Sequence, residues 1–179
     1  MPIESTDTLI TTIPSAVLPD LDGKHIALDD YCRNSVSIVF FSCNHCPYVQ
    51  WIEQEVARLS QLNSAVRWIA ICSNDVVNYP EDDIIGLKSQ VERAGWDFPY
   101  LVDSDQRVAH LFGAVCTPDF FIFDAAGLLV YRGALDQSRP NSALPVNGEY
   151  LIQAIAAAVK RAPYSGGRPS MGCGIKWTE

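Results

Sequence analysis

The most reactive grouping in the chain is a pair of thiols three residues apart, in Cys43-Asn44-His45-Cys46. The pair follows a hydrophobic run, Val36 to Phe41, and precedes a helix-patterned segment. A strand that stops here fixes the first sulfur in space. A helix that starts here turns its free N–H groups and positive dipole end toward that sulfur. Thiolate is then favoured over thiol, and the Cys43 pKa is expected below the free value of about 8.5. Asn44 suits the N-cap, and Pro47 falls in the first turn, where a missing N–H leaves nothing unpaired. Cysteines at i and i+3 of a first turn come near enough to bridge. The chemistry this predicts is reversible dithiol–disulfide exchange. Cys43, expected to be the exposed sulfur, attacks a disulfide, and Cys46, tucked into the helix, resolves the mixed disulfide. A cationic His45 beside the nucleophile would stabilise both the thiolate and the reduced form, at about 1.4 kcal/mol per pKa unit.

With six cysteines in 179 residues, spacing alone carries little weight, so the surrounding elements must support it. Residues 1–15 read as a loose lead-in. Asp20 to Lys24 is a turn signal ahead of a strand-like His25 to Leu28, which together make a small hairpin. Leu28 to Cys32 reads as a short helix capped by an aspartate. Val36 to Ser42 is apolar enough for a strand buried on both faces. From Asn44 onward Val49, Ile52, Val56, Leu59 and Leu62 mark one helix face, ending near Asn63. Val66 to Cys72 is a second buried strand. Pro80-Glu81-Asp82-Asp83 opens a further helix that stops at Gly95, with Ile84, Leu87 and Val91 as its face. A short strand, Tyr100 to Val102, leads through Asp103-Ser104-Asp105 into a helix that ends at Phe112-Gly113. Asp119–Phe123 and Leu128–Tyr131 form an antiparallel hairpin, a last helix runs from Asn147 to about Arg161, and a Gly/Pro-rich tail, residues 163–179, carries Cys173. The order implies an α/β fold with a central mixed sheet, helices on both faces, and the thiols at a strand's carboxyl end.

Composition narrows the function classes. The chain is 48% hydrophobic, as a single globular domain spanning residues 1–179 requires. A net charge of −8 without a Lys/Arg cluster argues against nucleic acid or an anionic membrane surface as partner. The first residues do not read as a signal peptide, and Leu151 to Val159 is too short to span a bilayer. A cytoplasmic location is expected, where Cys-x-x-Cys is catalytic or metal-binding rather than a structural staple.

In this order of elements, Cys43-Asn44-His45-Cys46 after a strand and Val115-Cys116-Thr117-Pro118 before the hairpin resemble the thioredoxin-fold superfamily. With an N-terminal hairpin and a helical insertion, the chain is similar to the redoxin branch over residues 15–162. Asn44 to Tyr48, Cys116 to Phe121 and Gly172 to Trp177 resemble a peroxiredoxin-like group within it. The resemblance implies a cis peptide before Pro118, close to the thiol pair, with the Thr117 backbone turned toward the sulfurs and offered to a bound peptide or thiol. It implies a disulfide-bearing protein or small thiol as substrate and an upstream dithiol reductant, with no cofactor and no metal. Related reductases carry a buried acid six residues before the first cysteine; Ser37 stands there, and Glu53 or Glu55 on the following helix is a candidate substitute, with nothing in the sequence to select either. Cys116 and Cys173 are candidate relay thiols, or else small buried hydrophobes. Cys32 and Cys72 read as core, and Trp177 as an anchor for the tail.

Three rival readings stay open. A thiol peroxidase of peroxiredoxin type resembles Pro-x-x-x-Thr-x-x-Cys, and that threonine is missing: Phe40 precedes Cys43 by three residues. Cys43, Cys46, Cys116 and Cys173 would together suit zinc or an iron–sulfur cluster, though one Cys-x-x-Cys with two isolated cysteines is a weaker pattern than two such pairs. A binding or chaperone module that kept the fold without turnover is the third.

Overall fold

The computed structural model describes all 179 residues. A short strand β1, Ile3–Glu4, precedes a hairpin of β2, Val17–Pro19, and β3, His25–Ala27, which runs directly into α1, Leu28–Tyr31. The central strand β4, Ser37–Phe41, leads to the long helix α2, Pro47–Leu62, and then to β5, Arg67–Cys72. A 3-10 turn, Pro80–Asp82, and α3, Ile84–Ala94, form the helical insertion before β6, Tyr100–Val102. Next come α4, Arg107–Phe112, and a two-residue strand β7, Cys116–Thr117. Past Pro118 the chain forms β8, Asp119–Phe123, β9, Leu129–Gly133, and α5, Glu149–Val159. The tail ends in a further strand, β10, Met171–Gly174.

The main sheet has the order β6-β5-β4-β8-β9. β4, β5 and β6 are parallel, and β8 enters antiparallel to both β4 and β9, so the sheet is mixed. Alternation along the strands divides the core in two. Ile38, Phe40, Phe120 and Ile122 point to the face covered by α2, α3 and α5, where Val56, Leu87 and Leu151 are buried. Val39, Phe41, Phe121 and Phe123 point to the opposite face, under α1 and α4, with Leu28 and Phe112. Phe40 and Phe120, partners across β4 and β8, stack at 5.0 Å between ring centroids, and Trp68 and Trp96 pack edge-on to Phe40.

Element ends depart from the sequence expectations where tertiary contacts replace local caps. Asn44 is not the N-cap of α2; Cys46 is, and the helix starts at Pro47, because the Asn44 side chain is held by the insertion. Ala27, not an aspartate, caps α1. Asp83 caps α3, accepting from Gly86 N, while Asp82 is turned away into the core. Leu62 and Ile84 lie on the predicted faces yet are exposed, because each sits at a helix end beyond the packed surface.

The three-stranded sheet β1-β10-β7 has no counterpart in the expectations. β10 pairs antiparallel with β7, setting Cys173 opposite Thr117 and Gly174 opposite Cys116, and with β1 on its other edge. Gly172 is the residue that permits this approach: a Cβ there would lie 1.8 Å from the Thr117 carbonyl oxygen. The tail is then fastened on both sides of Cys173. Ser5 and Ser170 exchange hydrogen bonds, Lys176 N donates to Asn74 Oδ1 at 2.9 Å, and Trp177 stacks on His110 at 4.4 Å.

Candidate active site

The strand β4 ends at Phe41, and residues 42–46 form the loop that carries Cys43, His45 and Cys46 to the start of α2. This loop is gripped by the insertion. Asp82, fully buried, accepts from Asn44 N at 2.7 Å and His45 N at 3.2 Å through Oδ1. Its Oδ2 accepts from His45 Nδ1 at 2.6 Å and Asn74 Nδ2 at 2.8 Å. Gln90 donates to the Cys43 carbonyl at 3.2 Å, and Arg93 donates to Asn44 Oδ1. Tyr79 stacks on the His45 ring. Four donors satisfy this buried carboxylate without water, and here it sets the orientation of both loop and imidazole.

Thr117 faces both sulfurs. Cys43 Sγ lies 3.4 Å from Thr117 Oγ1, and Cys46 Sγ, as a thiol, donates to the Thr117 carbonyl at 3.3 Å. The Thr117–Pro118 peptide is cis. The backbone edge of Thr117 that was expected to receive a bound peptide is taken by β10 of the same chain.

Cys43, Cys46, His45, Thr117, Pro118 and Cys173 converge here, whereas Cys116 does not. Cys46 has two thiols for neighbours, Cys43 in the same loop and Cys173, which β10 sets opposite Thr117 and packs against the cluster holding both. The two donors, Cys173 first and Cys43 second, hold the Cys46 thiol well below its ordinary range. Cys43 is pushed up, first because its S–H is kept for Cys46, then by burial and by the Asp82 charge. Cys173 is pushed up by the same bond to Cys46 and then by burial. Two expectations are corrected. Cys43 is 1% exposed rather than open to solvent, and its thiol is held above its ordinary range rather than below it, by the neighbouring Cys46 thiol and by burial. All six cysteines are free thiols.

Cys116 is fully buried; burial is the main force raising its pKa, and Asp119 and Arg132 are its charged neighbours. The four-thiolate set is therefore not assembled. The grouping of metal-type ligands within 4.8 Å of one another is instead Cys43, His45 and Asp82. Cys32 and Cys72 are core thiols, pushed up by burial to about 11 and about 12.

Neither acid expected to replace the missing one reaches the sulfurs. Glu53 forms a two-point ion pair with Arg93, and Glu55 pairs with Arg58. Ser37 is buried and spends its hydroxyl on the Ser35 and Cys32 carbonyls. The acid at the site is Asp82, which reads in sequence only as part of an acidic helix start. Its one signal was a position just past the second buried strand, where open α/β sheets gather their ligands.

No helix is long and apolar enough to cross a membrane. Comparison with known proteins agrees with the geometry. The chain matches the AhpC/TSA family over residues 10–132, more than half its length. An uncharacterized conserved protein from Geobacillus kaustophilus is 39% identical, with a TM-score of 0.93 over 99% of this chain and 97% of that one. A hypothetical protein from Sinorhizobium meliloti is 36% identical, with a TM-score of 0.92 over 98% and 97%. The thiol-disulfide oxidoreductase ResA of Bacillus thuringiensis is 25% identical over 129 residues, 70% of this chain and 69% of that protein. A secreted disulfide oxidoreductase of Mycobacterium tuberculosis shares the fold, with a TM-score of 0.64 at 17% identity over 80% of this chain and 96% of that one. With its mixed sheet and thiol-bearing strand end, the chain belongs to the AhpC/TSA family, in the redoxin branch of the thioredoxin fold, a family of redox enzymes.

Proposed function

We propose that the protein is a thiol–disulfide oxidoreductase in which Cys43 and Cys46 cycle between dithiol and disulfide. The observation that carries this reading is the gathering of both sulfurs on Thr117 at the end of β4, Cys43 Sγ 3.4 Å from its hydroxyl and Cys46 Sγ 3.3 Å from its carbonyl. Cys43 attacks a partner disulfide as thiolate, and the first partner sulfur to leave takes up its proton. Cys46 then attacks Cys43 Sγ, and the partner leaves with both sulfurs reduced. His45, oriented by Asp82, is the polar group beside the reacting sulfur. The name of the ResA relative describes the same chemistry. Burial of Cys43 favours a small disulfide or a loop-borne one, and an upstream dithiol restores the reduced pair. The cytoplasm is the proposed compartment, where a Cys-x-x-Cys is a working pair rather than a structural staple.

The test is a redox titration against glutathione with Cys43→Ser and Cys46→Ser as controls. One intramolecular disulfide should titrate in the wild type and vanish in both variants. A potential near about −270 mV marks a reductase, and one above about −200 mV an oxidant or isomerase. A wild type that never forms the Cys43–Cys46 bond overturns the reading.

A second reading, thiol peroxidase, is favoured by one contact. The threonine hydroxyl missing from the sequence three residues before Cys43 is supplied across space by Thr117, at 3.4 Å. A hydroperoxide would oxidise Cys43 to the sulfenic acid and leave as alcohol or water, and Cys46 would close the disulfide with loss of water. Peroxide consumption with a dithiol donor, lowered in Thr117→Val, supports this activity, and no consumption above background excludes it.

A further inference from the structure

The substrate edge of β7 is filled by the chain's own tail, and the tail presents a cysteine to the active pair. Met171 lines a small, mainly apolar pocket together with Tyr48, Trp51, Ile52, Pro118 and Leu135. Gly172 fits against the Thr117 carbonyl where no side chain has room. Cys173, opposite Thr117, packs against the core cluster that holds Cys43 and Cys46. An extended substrate strand docking beside the thiol pair would make these same contacts. Of the three linked sulfurs only Cys173 is partly exposed, while Cys43 and Cys46 are 1% and 0% exposed.

We propose that Cys173 is a third redox residue, the thiol through which a partner dithiol reduces the buried Cys43–Cys46 disulfide. This rests on the proposed Cys43–Cys46 cycle and adds the route by which electrons reach it. The Cys173 thiolate attacks Cys46 Sγ, the Cys43–Cys46 bond breaks, and a Cys46–Cys173 bond forms. Cys43 leaves as thiolate and takes up the proton that Cys173 released. No electrons are gained in this step; the disulfide moves one sulfur toward the surface. A dithiol partner then attacks Cys173 and expels Cys46 as thiolate, which takes up the proton the partner thiol released. The partner's second thiol attacks the mixed disulfide, closes its own disulfide and frees Cys173. Two electrons and two protons have passed from partner to enzyme.

The fastening of the tail supports exchange in place rather than by a swinging arm. Ile175 N donates to Val115 O at 3.0 Å, and the Lys176 carbonyl accepts from Asp75 N at 2.8 Å and Gln106 Nε2 at 2.7 Å. Held this way, Cys173 meets Cys46 as an intramolecular reactant at high effective concentration.

The test has two arms. Cys43→Ser, oxidised with diamide, should yield an intramolecular Cys46–Cys173 disulfide, read as a cross-linked peptide by mass spectrometry without reductant. Cys173→Ser should still form the Cys43–Cys46 disulfide, and its reduction by thioredoxin as the probe dithiol should be at least tenfold slower than wild type. A Cys173→Ser enzyme reduced at the wild-type rate overturns the relay and leaves the Cys43–Cys46 cycle standing. Failure of the wild type to form the Cys43–Cys46 bond overturns both. If Cys43→Ser does not fold, acid-quenched wild type sampled during reduction should contain the Cys46–Cys173 species, and its absence overturns the proposal.

Discussion

Asp82 holds His45 by a 2.6 Å hydrogen bond from Nδ1, and the two residues come from opposite sides of β5 in the chain. The same carboxylate carries the amides of Asn44 and His45, so one side chain fixes both the thiol loop and its imidazole.

Replacing it tests that double role. Asp82→Ala leaves four buried or half-buried donors without an acceptor and should cost about 2–4 kcal/mol of stability, read by urea unfolding. Because the Asp82 charge helps hold Cys43 up, the Cys43 pKa should fall in the variant. Thiolate absorbance against pH checks the second outcome, and an unchanged profile would show that Asp82 acts on the loop alone.

Gly172→Ala probes the closed edge of β7. The new methyl would meet the Thr117 carbonyl oxygen at 1.8 Å, and backbone on both sides gives little room. The strand should be displaced at a cost of about 1–3 kcal/mol. Iodoacetamide should then label Cys46 in the reduced protein at least tenfold faster than in the wild type.

The three sulfurs predict a pH signature. Cysteine in the unfolded chain titrates near about 8.5. Cys46 is held below that value in the fold, so the unfolded chain binds the extra proton in between. Stability from this group is full above about pH 8.5 and is lost as pH falls toward the folded value. Cys43 and Cys173 are held up, so above about pH 8.5 the folded state keeps protons that the unfolded chain has released, and stability falls again. Urea titrations of reduced protein should show a maximum near about pH 8.5, and Cys46→Ser should flatten the acid limb.

Arg132 stands behind the site in a buried ion pair with Asp119, at 2.8 Å, and also donates to the Gly113 carbonyl. Arg132→Leu would leave the fully buried Asp119 unpaired, one of whose oxygens already lacks a partner. A loss of about 3–5 kcal/mol is expected, measured by chemical denaturation, with Arg132→Leu/Asp119→Leu recovering part of it.

The elements were legible because they depend on near neighbours. Apolar spacing along Val49, Ile52, Val56 and Leu59 marks a helix wherever it packs, and Val36 to Phe41 has the composition of a strand covered on both faces. The hairpin, the mixed sheet and the placing of Cys43 and Cys46 at a strand end follow from that order. The partners of those sulfurs were not legible. Asp82 looks like any helix-opening acid until β5 and the insertion bring it under the thiol loop. Cys173 and Gly172 lie in a tail whose sequence shows neither strand periodicity nor a partner. Their positions are set by pairing with Thr117 across more than fifty residues, and a contact at that separation is chosen by packing and hydrogen-bond satisfaction of the whole chain. Sequence determined that a dithiol sits where a strand gives way to a helix. Tertiary structure decided how deeply the pair is buried, which acid stands beside it, and which strand pairs with Thr117 at its edge.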